Sequence, residues 1–159
     1  MPAALQPGDK APDFALPSDE GGDVVLDALR GRMVVLYFYP KDDTSGCTSE
    51  AKAFTEAQAE FDAIGAVVVG VSKDSVKSHG KFRQKYGLSV RLGSDVDGET
   101  VQRYGVWVEK SMYGRKYMGI ERATFLIDGE GVIRQVWRKV SVPGHALSVL
   151  AAARGLTTK

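Results

Sequence analysis

Continuous apolar runs alternate with a segment of helical periodicity in the first half of the chain. The runs at 33–39 and 66–71 are rich in β-branched and aromatic residues, which is typical of strands that are buried on both faces. Between these runs, apolar residues recur at helical spacing: Phe54, Ala57, Phe61 and Ile64. Gly65 is placed to end that helix. Strand, helix and strand in this order predict a βαβ unit with a right-handed crossover.

Weaker patterns predict the elements on either side of this unit. Apolar residues alternate on both sides of the polar turn 18–22, which predicts an N-terminal β-hairpin. The later segments are predicted as a helix, a short strand, a short helix, an antiparallel hairpin and a final helix: 75–86, 90–92, 99–104, 123–137 and 143–153. This order of elements predicts an α/β fold of the thioredoxin-like type, with a central mixed β-sheet flanked by helices.

The composition is that of an ordinary globular domain. The chain has 159 residues, of which 43% are hydrophobic and 26% are charged, and its formal net charge is +1. This balance excludes intrinsic disorder and argues against nucleic acid or an anionic membrane as a partner. No repeat or low-complexity linker divides the chain, so we expect one domain over residues 1–159. We see no signal peptide and no apolar run that could span a bilayer, and we expect a cytoplasmic protein.

Cysteine and histidine are scarce in this chain. Cys47 is the only cysteine, which excludes an internal disulfide and a cysteine-rich zinc site. The two histidines, His79 and His145, form no ligand pattern with each other or with Cys47, so we expect no metal and no cofactor. His79 lies in a polar helix and is expected to be solvated. The acidic segment 95–99 is expected to be a turn with a helix cap rather than a calcium loop.

The segment around Cys47 is the most informative for chemistry. Cys47 falls in the first turn of a helix that follows a buried strand, and the carboxyl ends of such strands are preferred positions for functional sites. Unpaired N–H groups and the helix dipole stabilise a thiolate there. A lone cysteine is more often a small buried apolar residue. However, its small and polar neighbours, such as Ser45, Gly46 and Thr48, make a poor core environment and favour a nucleophile.

Pro40, Thr44 and Cys47 match a known pattern, Pro-x-x-x-Thr-x-x-Cys, at every defining position. The chain thereby resembles the peroxiredoxins. The longer string over 37–51, Tyr-Phe-Tyr-Pro-Lys-Asp-x-Thr-x-Gly-Cys-Thr-x-Glu-Ala, is similar to the bacterioferritin comigratory protein, or peroxiredoxin Q, subgroup. Similar strings occur at 105–107, 109–111 and 119–128, so the resemblance covers nearly the whole chain.

The resemblance implies a role for each residue of the motif. Cys47 would be the nucleophile that attacks a hydroperoxide, and Thr44 would hydrogen-bond the sulfur and the peroxide. Pro40 would shield the thiolate from water. Arg122 would donate hydrogen bonds to the thiolate and the peroxide, and Glu50 would pair with Arg122 and orient it. Without the resemblance, Arg122 is better interpreted as a surface residue at a strand start, and Glu50 stays open to interpretation as a carboxylate that offsets the helix dipole.

The chain departs from the subgroup at two positions. Lys52 stands where many members have a resolving cysteine, and the next helix, 74–86, contains none. The resemblance then implies a one-cysteine mechanism that is recycled by an external thiol: thioredoxin, glutaredoxin or a low-molecular-weight thiol such as glutathione. Ser45 replaces a proline that is common in the subgroup, which loosens the loop. The subgroup also implies a monomer.

Two other functions stay open at this stage. The chain could be a redox-sensing or thiol-relay module, in which an oxidised Cys47 passes its oxidation to a partner with little turnover. It could also be a thioredoxin-like scaffold with an inert cysteine. An apolar group is consistent with a lip that docks a partner or an organic hydroperoxide, or with plain packing: Trp107, Met112, Tyr113 and Tyr117.

Overall fold

A computed structural model describes residues 4–157, so the predicted domain of residues 1–159 extends beyond the described part at both ends. The strands are β1 (Ala15–Pro17), β2 (Asp23–Val25), β3 (Met33–Phe38), β4 (Ala66–Ser72), β5 (Arg91–Ser94), β6 (Trp107–Met112), β7 (Arg115–Ile120), β8 (Ala123–Ile127) and β9 (Ile133–Trp137). The α-helices are α1 (Ser45–Glu56), α2 (Gln58–Ala63), α3 (Val76–Tyr86), α4 (Glu99–Arg103) and α5 (His145–Thr157). In residues 4–157 no helix has the length and hydropathy needed to cross a membrane.

The centre of the structure is a five-stranded mixed sheet with the order β5-β4-β3-β8-β9. Strands β3, β4 and β5 run parallel, whereas β8 pairs antiparallel with β3 and with β9. Successive residues of β3 enter opposite cores: Leu36 and Phe38 pack on one face, and Val35 and Tyr37 on the other. Because both faces of the sheet are covered, neither face of β3 carries polar side chains, which explains the continuous apolar run. The predicted thioredoxin-like fold with a central mixed sheet is confirmed.

The N-terminal hairpin is also confirmed, and it covers an edge of the sheet. Strands β1 and β2 pair antiparallel, and Ser18 at the turn forms an isolated bridge with Gly93 of β5. A Cβ at Gly93 would lie 3.1 Å from Cδ1 of Leu16, so the glycine allows β1 to approach β5 closely. Covering this edge leaves fewer unpaired backbone groups on β5, which protects it from pairing with another chain.

The helices follow the predicted order, with one interruption. The segment predicted as a single helix up to Gly65 divides at Ala57, whose φ of −90° and ψ of 3° separate α1 from α2. Phe54 and Phe61 are nevertheless buried, as their spacing predicts. Helix α3 begins after Ser75, whose side chain accepts a hydrogen bond from the Ser78 amide. It ends at Gly87, which has the left-handed conformation.

Strands β6 and β7 form a hairpin for which the sequence gives no clear pattern. Their two connecting residues, Tyr113 and Gly114, have φ values of 53° and 78°. Two successive positive φ values are typical of a type I′ turn, which most often carries Asn-Gly or Asp-Gly. Moreover, most residues of this hairpin are exposed on both faces, so no alternation of apolar and polar residues marks the strands.

Candidate active site

Cys47 lies where the central strand passes into a helix. β3 ends at Phe38, and Thr44 caps α1 with extended backbone angles of −99° and 157°, so that Cys47 is the third residue of the helix. Its side chain belongs to one of the two cores, and the residue is 1% exposed. The first amides of the helix have no partner within the helix, and their positive potential stabilises a negative sulfur.

Arg122 reaches Cys47 because of the pairing between β3 and β8. Ala123, the first residue of β8, lies opposite Phe38, so the preceding residue emerges beside the end of β3. Nη2 of Arg122 donates a hydrogen bond to Sγ of Cys47 at 3.4 Å, and Nη1 donates to Oε1 of Glu50 at 2.7 Å. One planar guanidinium thus connects the sulfur to a carboxylate one helical turn further along α1.

Gly46 makes room for this guanidinium. A Cβ at position 46 would lie 3.0 Å from Nη2 of Arg122, which is closer than ordinary van der Waals contact. The backbone of Gly46 has no positive φ, so the glycine is needed here for space rather than for conformational freedom. The small residue noted beside Cys47 in the sequence therefore has a direct structural purpose.

Glu50 is 1% exposed and forms an ion pair with Arg122. Burial raises the pKa of Glu50 to about 7, and the nearby Arg122 guanidinium opposes this rise only in part. Burial lowers the pKa of Arg122, but Glu50 and Cys47 together outweigh it and raise the pKa. Oε2 of Glu50 is buried without a hydrogen-bond partner, which leaves this carboxylate half-satisfied.

Thr44 and Pro40 frame the same loop, although neither contacts the sulfur through a hydrogen bond. The Thr44 hydroxyl donates to the Lys41 carbonyl at 2.8 Å, so its proton is not directed at Sγ in this structure. Pro40 is half-buried at the start of the loop. The roles of Thr44 toward the sulfur and the peroxide, and of Pro40 as a shield, therefore stay predictions.

This arrangement agrees with comparisons to known proteins. The model of the AhpC/TSA family matches residues 7–136. A Bcp-type relative from Coxiella burnetii is 54% identical over 147 residues, covering 92% of this chain and 97% of that protein. Peroxiredoxin Bcp of Bacillus subtilis is 43% identical over 98% of this chain and 99% of its own length. The chain belongs to the peroxiredoxin family and is a thiol-dependent peroxidase.

Solved structures of the same subgroup share the fold of this peroxiredoxin. The bacterioferritin comigratory protein of Xanthomonas campestris, described as active in alkyl peroxide reduction, is 43% identical with a TM-score of 0.88. That match covers 99% of each chain. A mutant of PrxQ from Xylella fastidiosa is 38% identical with a TM-score of 0.91, covering 97% of this chain and 98% of that one.

A cavity of about 360 Å³ lies between Pro40 and the hairpin of β6 and β7. Its walls are mostly apolar, but they include two ammonium groups: Pro40, Lys73, Trp107, Lys110, Tyr117, Met118, Gly119 and Ile120. Burial and the nearby Arg122 lower the pKa of Lys110, while Cys47 opposes this shift. Of the predicted apolar lip, Trp107 and Tyr117 line the cavity, whereas Met112 and Tyr113 are exposed near the tip of the hairpin.

The sequence interpretation of His79 as a solvated residue is wrong. His79 is 0% exposed, and its Nδ1 lies 2.7 Å from Oδ2 of Asp42, a residue of the peroxiredoxin's Cys47 loop. Asp74 lies close to both, and ligand atoms of the three residues lie within 4.8 Å of one another. Because Asp42 and His79 are joined by a direct hydrogen bond, these atoms are already occupied. The absence of a metal stays a prediction.

His145 is a further buried residue of this peroxiredoxin that the sequence did not mark as functional. Its Nε2 lies 2.8 Å from the hydroxyl of Thr124, which is two residues beyond Arg122 on β8. Burial and the Arg122 charge lower the pKa of His145 to about 4, so the ring is neutral at neutral pH. A neutral ring adds no second positive charge behind Arg122. The predicted turn at 95–99 leads into α4: Gly98 is the N-cap of the helix, and the Asp95 carboxylate accepts from the amides of Thr100 and Val101 in its first turn.

Proposed function

We propose that this chain reduces hydrogen peroxide and small organic hydroperoxides, with Cys47 as the nucleophile. The observation that carries the proposal is the hydrogen bond of 3.4 Å from Arg122 to Sγ at the start of a helix. Two sources of positive potential, the helix N-terminus and the guanidinium, meet at the sulfur that carries the negative charge of an attacking thiolate. Glu50 fixes the guanidinium from the other side.

The first reaction step uses the sulfur and the peroxide only. The Cys47 thiolate attacks one peroxide oxygen, the O–O bond breaks, and the leaving oxygen departs as hydroxide or alkoxide, which takes up a proton to give water or an alcohol. The sulfur is oxidised to a sulfenic acid and the peroxide is reduced. We assign to Arg122 the stabilisation of the negative charge that moves between the oxygen atoms. Thr44 and Pro40 would orient the peroxide and exclude water.

The second step needs a thiol from outside the chain, because Cys47 is the only cysteine. The external thiol condenses with the sulfenic acid to form a mixed disulfide and water, and a second thiol then releases Cys47 and leaves as a disulfide. We propose thioredoxin, glutaredoxin or a low-molecular-weight thiol as the donor. The same chemistry supports the relay function if the second thiol belongs to a protein that is itself the target of oxidation.

We further infer that the chain acts as one domain over residues 1–159 and as a monomer. The family model spans residues 7–136, and both cores are built on the two faces of the single strand β3, which supports one cooperative unit. The monomer and the cytoplasmic location rest on the resemblance and the sequence, respectively.

The experiment measures the second-order rate at which Cys47 is oxidised by hydrogen peroxide and by tert-butyl hydroperoxide, followed by intact mass. We expect a rate orders of magnitude above that of free cysteine, and no mass increase in Cys47→Ser. A rate equal to that of free cysteine would refute the peroxidase proposal and leave an inert scaffold. Steady-state peroxide consumption with each thiol donor then separates an enzyme that turns over from a relay that does not.

A further inference from the structure

A buried polar network holds the loop before Cys47. Asp42 is 7% exposed, and its carboxylate accepts hydrogen bonds from the hydroxyl of Tyr39 at 2.6 Å and from the hydroxyl of Ser78 at 2.8 Å. Its third contact is Nδ1 of His79 at 2.7 Å. The Asp42 amide donates to Oδ2 of Asp74 at 2.8 Å. Both the side chain and the backbone of Asp42 are therefore fixed by other parts of the fold.

The surroundings of His79 determine its protonation. Nδ1 faces the carboxylate of Asp42, and Nε2 lies 3.1 Å from the carbonyl oxygen of Gly93 on β5. A carbonyl oxygen accepts and cannot donate, so Nε2 must carry a hydrogen. Oδ2 of Asp42 is a carboxylate oxygen, which also accepts, so Nδ1 donates as well. His79 is thus an imidazolium in a buried ion pair.

Asp42 connects this ion pair to the loop that leads to Cys47. It lies between Pro40 and Thr44, the two residues that frame the cysteine, and only four residues separate it from Cys47. The next residue, Asp43, has a φ of 58°, an uncommon conformation for a residue other than glycine. A loop with such a residue keeps its shape only when neighbouring contacts determine it. Lys85 and Tyr86 bind the carboxylate of Asp43 itself. The buried contacts are those of the preceding residue, Asp42.

We propose that the ion pair of His79 and Asp42 positions the loop 40–44 for attack by Cys47, and that peroxide reduction slows when His79 loses its proton. This inference rests on the proposed peroxidase function of Cys47. It makes His79 and Asp42 positioning residues, which act on the reaction through Pro40 and Thr44 rather than by contact with the peroxide. A displacement of about 1 Å at a reacting group can cost on the order of a hundredfold in rate.

The pH at which His79 loses its proton depends on the groups that face its ring. Tyr39 and Asp42 approach it from the end of β3, Asp74 from the end of β4 and the Gly93 carbonyl from β5. Burial acts to lower the pKa of His79, but Asp42, the Gly93 carbonyl and Asp74 together raise it. The ion pair therefore persists to a higher pH than a free imidazolium would and is lost as the pH rises through this elevated value.

The test compares His79→Gln with the wild-type enzyme in the rate of Cys47 oxidation by hydrogen peroxide across a pH series. We expect the variant to react about 10- to 100-fold more slowly at neutral pH, and to lack the fall in rate that the wild type shows at alkaline pH. Lys77→Gln is the matched control, because it removes an exposed positive charge from the same helix and should follow the wild-type pH profile.

Three outcomes are distinguishable. An equal rate and pH profile in His79→Gln and wild type would overturn the inference. If His79→Gln does not fold, Asp42→Asn, which keeps the shape of the side chain, should show the slower rate and the flattened alkaline limb; if it follows the wild type, the inference is wrong. A slow wild-type enzyme would instead contradict the proposed peroxidase function itself.

Discussion

Replacing Arg122 with methionine tests how much the charge and hydrogen bonds of the guanidinium contribute to the reactivity of Cys47. Methionine has a similar reach but carries no charge and donates no hydrogen bond. The substitution removes both donors of the guanidinium, the one 3.4 Å from Sγ of Cys47 and the one 2.7 Å from Oε1 of Glu50. Because the Arg122 side chain is only 17% exposed, water replaces these donors poorly.

The expected loss follows from the role of the lost donor. Removing one donor that is aimed at charge in a transition state typically costs about 100- to 1000-fold in rate, or about 3–4 kcal/mol. We therefore expect the second-order rate of Cys47 oxidation in Arg122→Met to fall by about that factor. Glu50 loses its counter-charge, but burial already raises its pKa to about 7, so it takes up a proton and the variant stays folded at neutral pH.

The assay mixes reduced protein with excess hydrogen peroxide and follows sulfenic acid formation by quenched intact mass, with thermal unfolding as a check of the fold. Arg122→Lys is the matched variant, since it keeps the positive charge but cannot contact Sγ and Glu50 at once; about a tenfold loss is expected. A folded Arg122→Met protein that reacts within about threefold of the wild type would refute the assigned role.

Three further substitutions test the packing and charge around the site. Glu50→Gln should remove a pH dependence of stability, because burial raises the pKa of Glu50 from 4.5 to about 7. As the pH rises through this range, the free energy of unfolding of the wild type, measured in urea, should fall by about 3 kcal/mol relative to the variant. Gly46→Ala should slow Cys47 oxidation about tenfold, because its Cβ would meet Nη2 of Arg122 at 3.0 Å; an unchanged rate would contradict this. Gly70→Ala should lower the free energy of unfolding by about 1–3 kcal/mol, because its Cβ would lie 2.6 Å from the Tyr37 ring.

The parts of the fold that could be predicted are those with a local cause. β3 and β4 are visible in the sequence because a strand covered on both faces is apolar at every position. The start of α3 is visible because Ser75 caps it, and its end because Gly87 adopts a left-handed conformation. The division of α1 from α2 at Ala57 has no such marker, since alanine favours the helix on both sides of the break.

The charge pairs of the site could not be predicted from local patterns. Glu50 and Arg122 are 72 residues apart, and only the family resemblance brought them together. Asp42 and His79 are 37 residues apart, and a histidine in a polar helix is usually solvated. A topological argument was available: Asp42 follows β3 and Asp74 follows β4, and parallel neighbouring strands end at the same edge of a sheet. That argument indicates a polar cluster there, although not the histidine that completes it.

Two buried ion pairs fix the Cys47 segment from opposite sides of the central strand. Arg122 is supplied by the start of β8 and holds Glu50, whereas His79 is supplied by α3 and holds Asp42. β8 and β4 flank β3 on its two edges, so the sheet itself aligns both pairs with the end of β3. Buried ion pairs are a poor source of stability because desolvation offsets their attraction, and in some proteins they are retained because they specify geometry. Their position on either side of a single cysteine is therefore best explained by the need to hold a nucleophile in place.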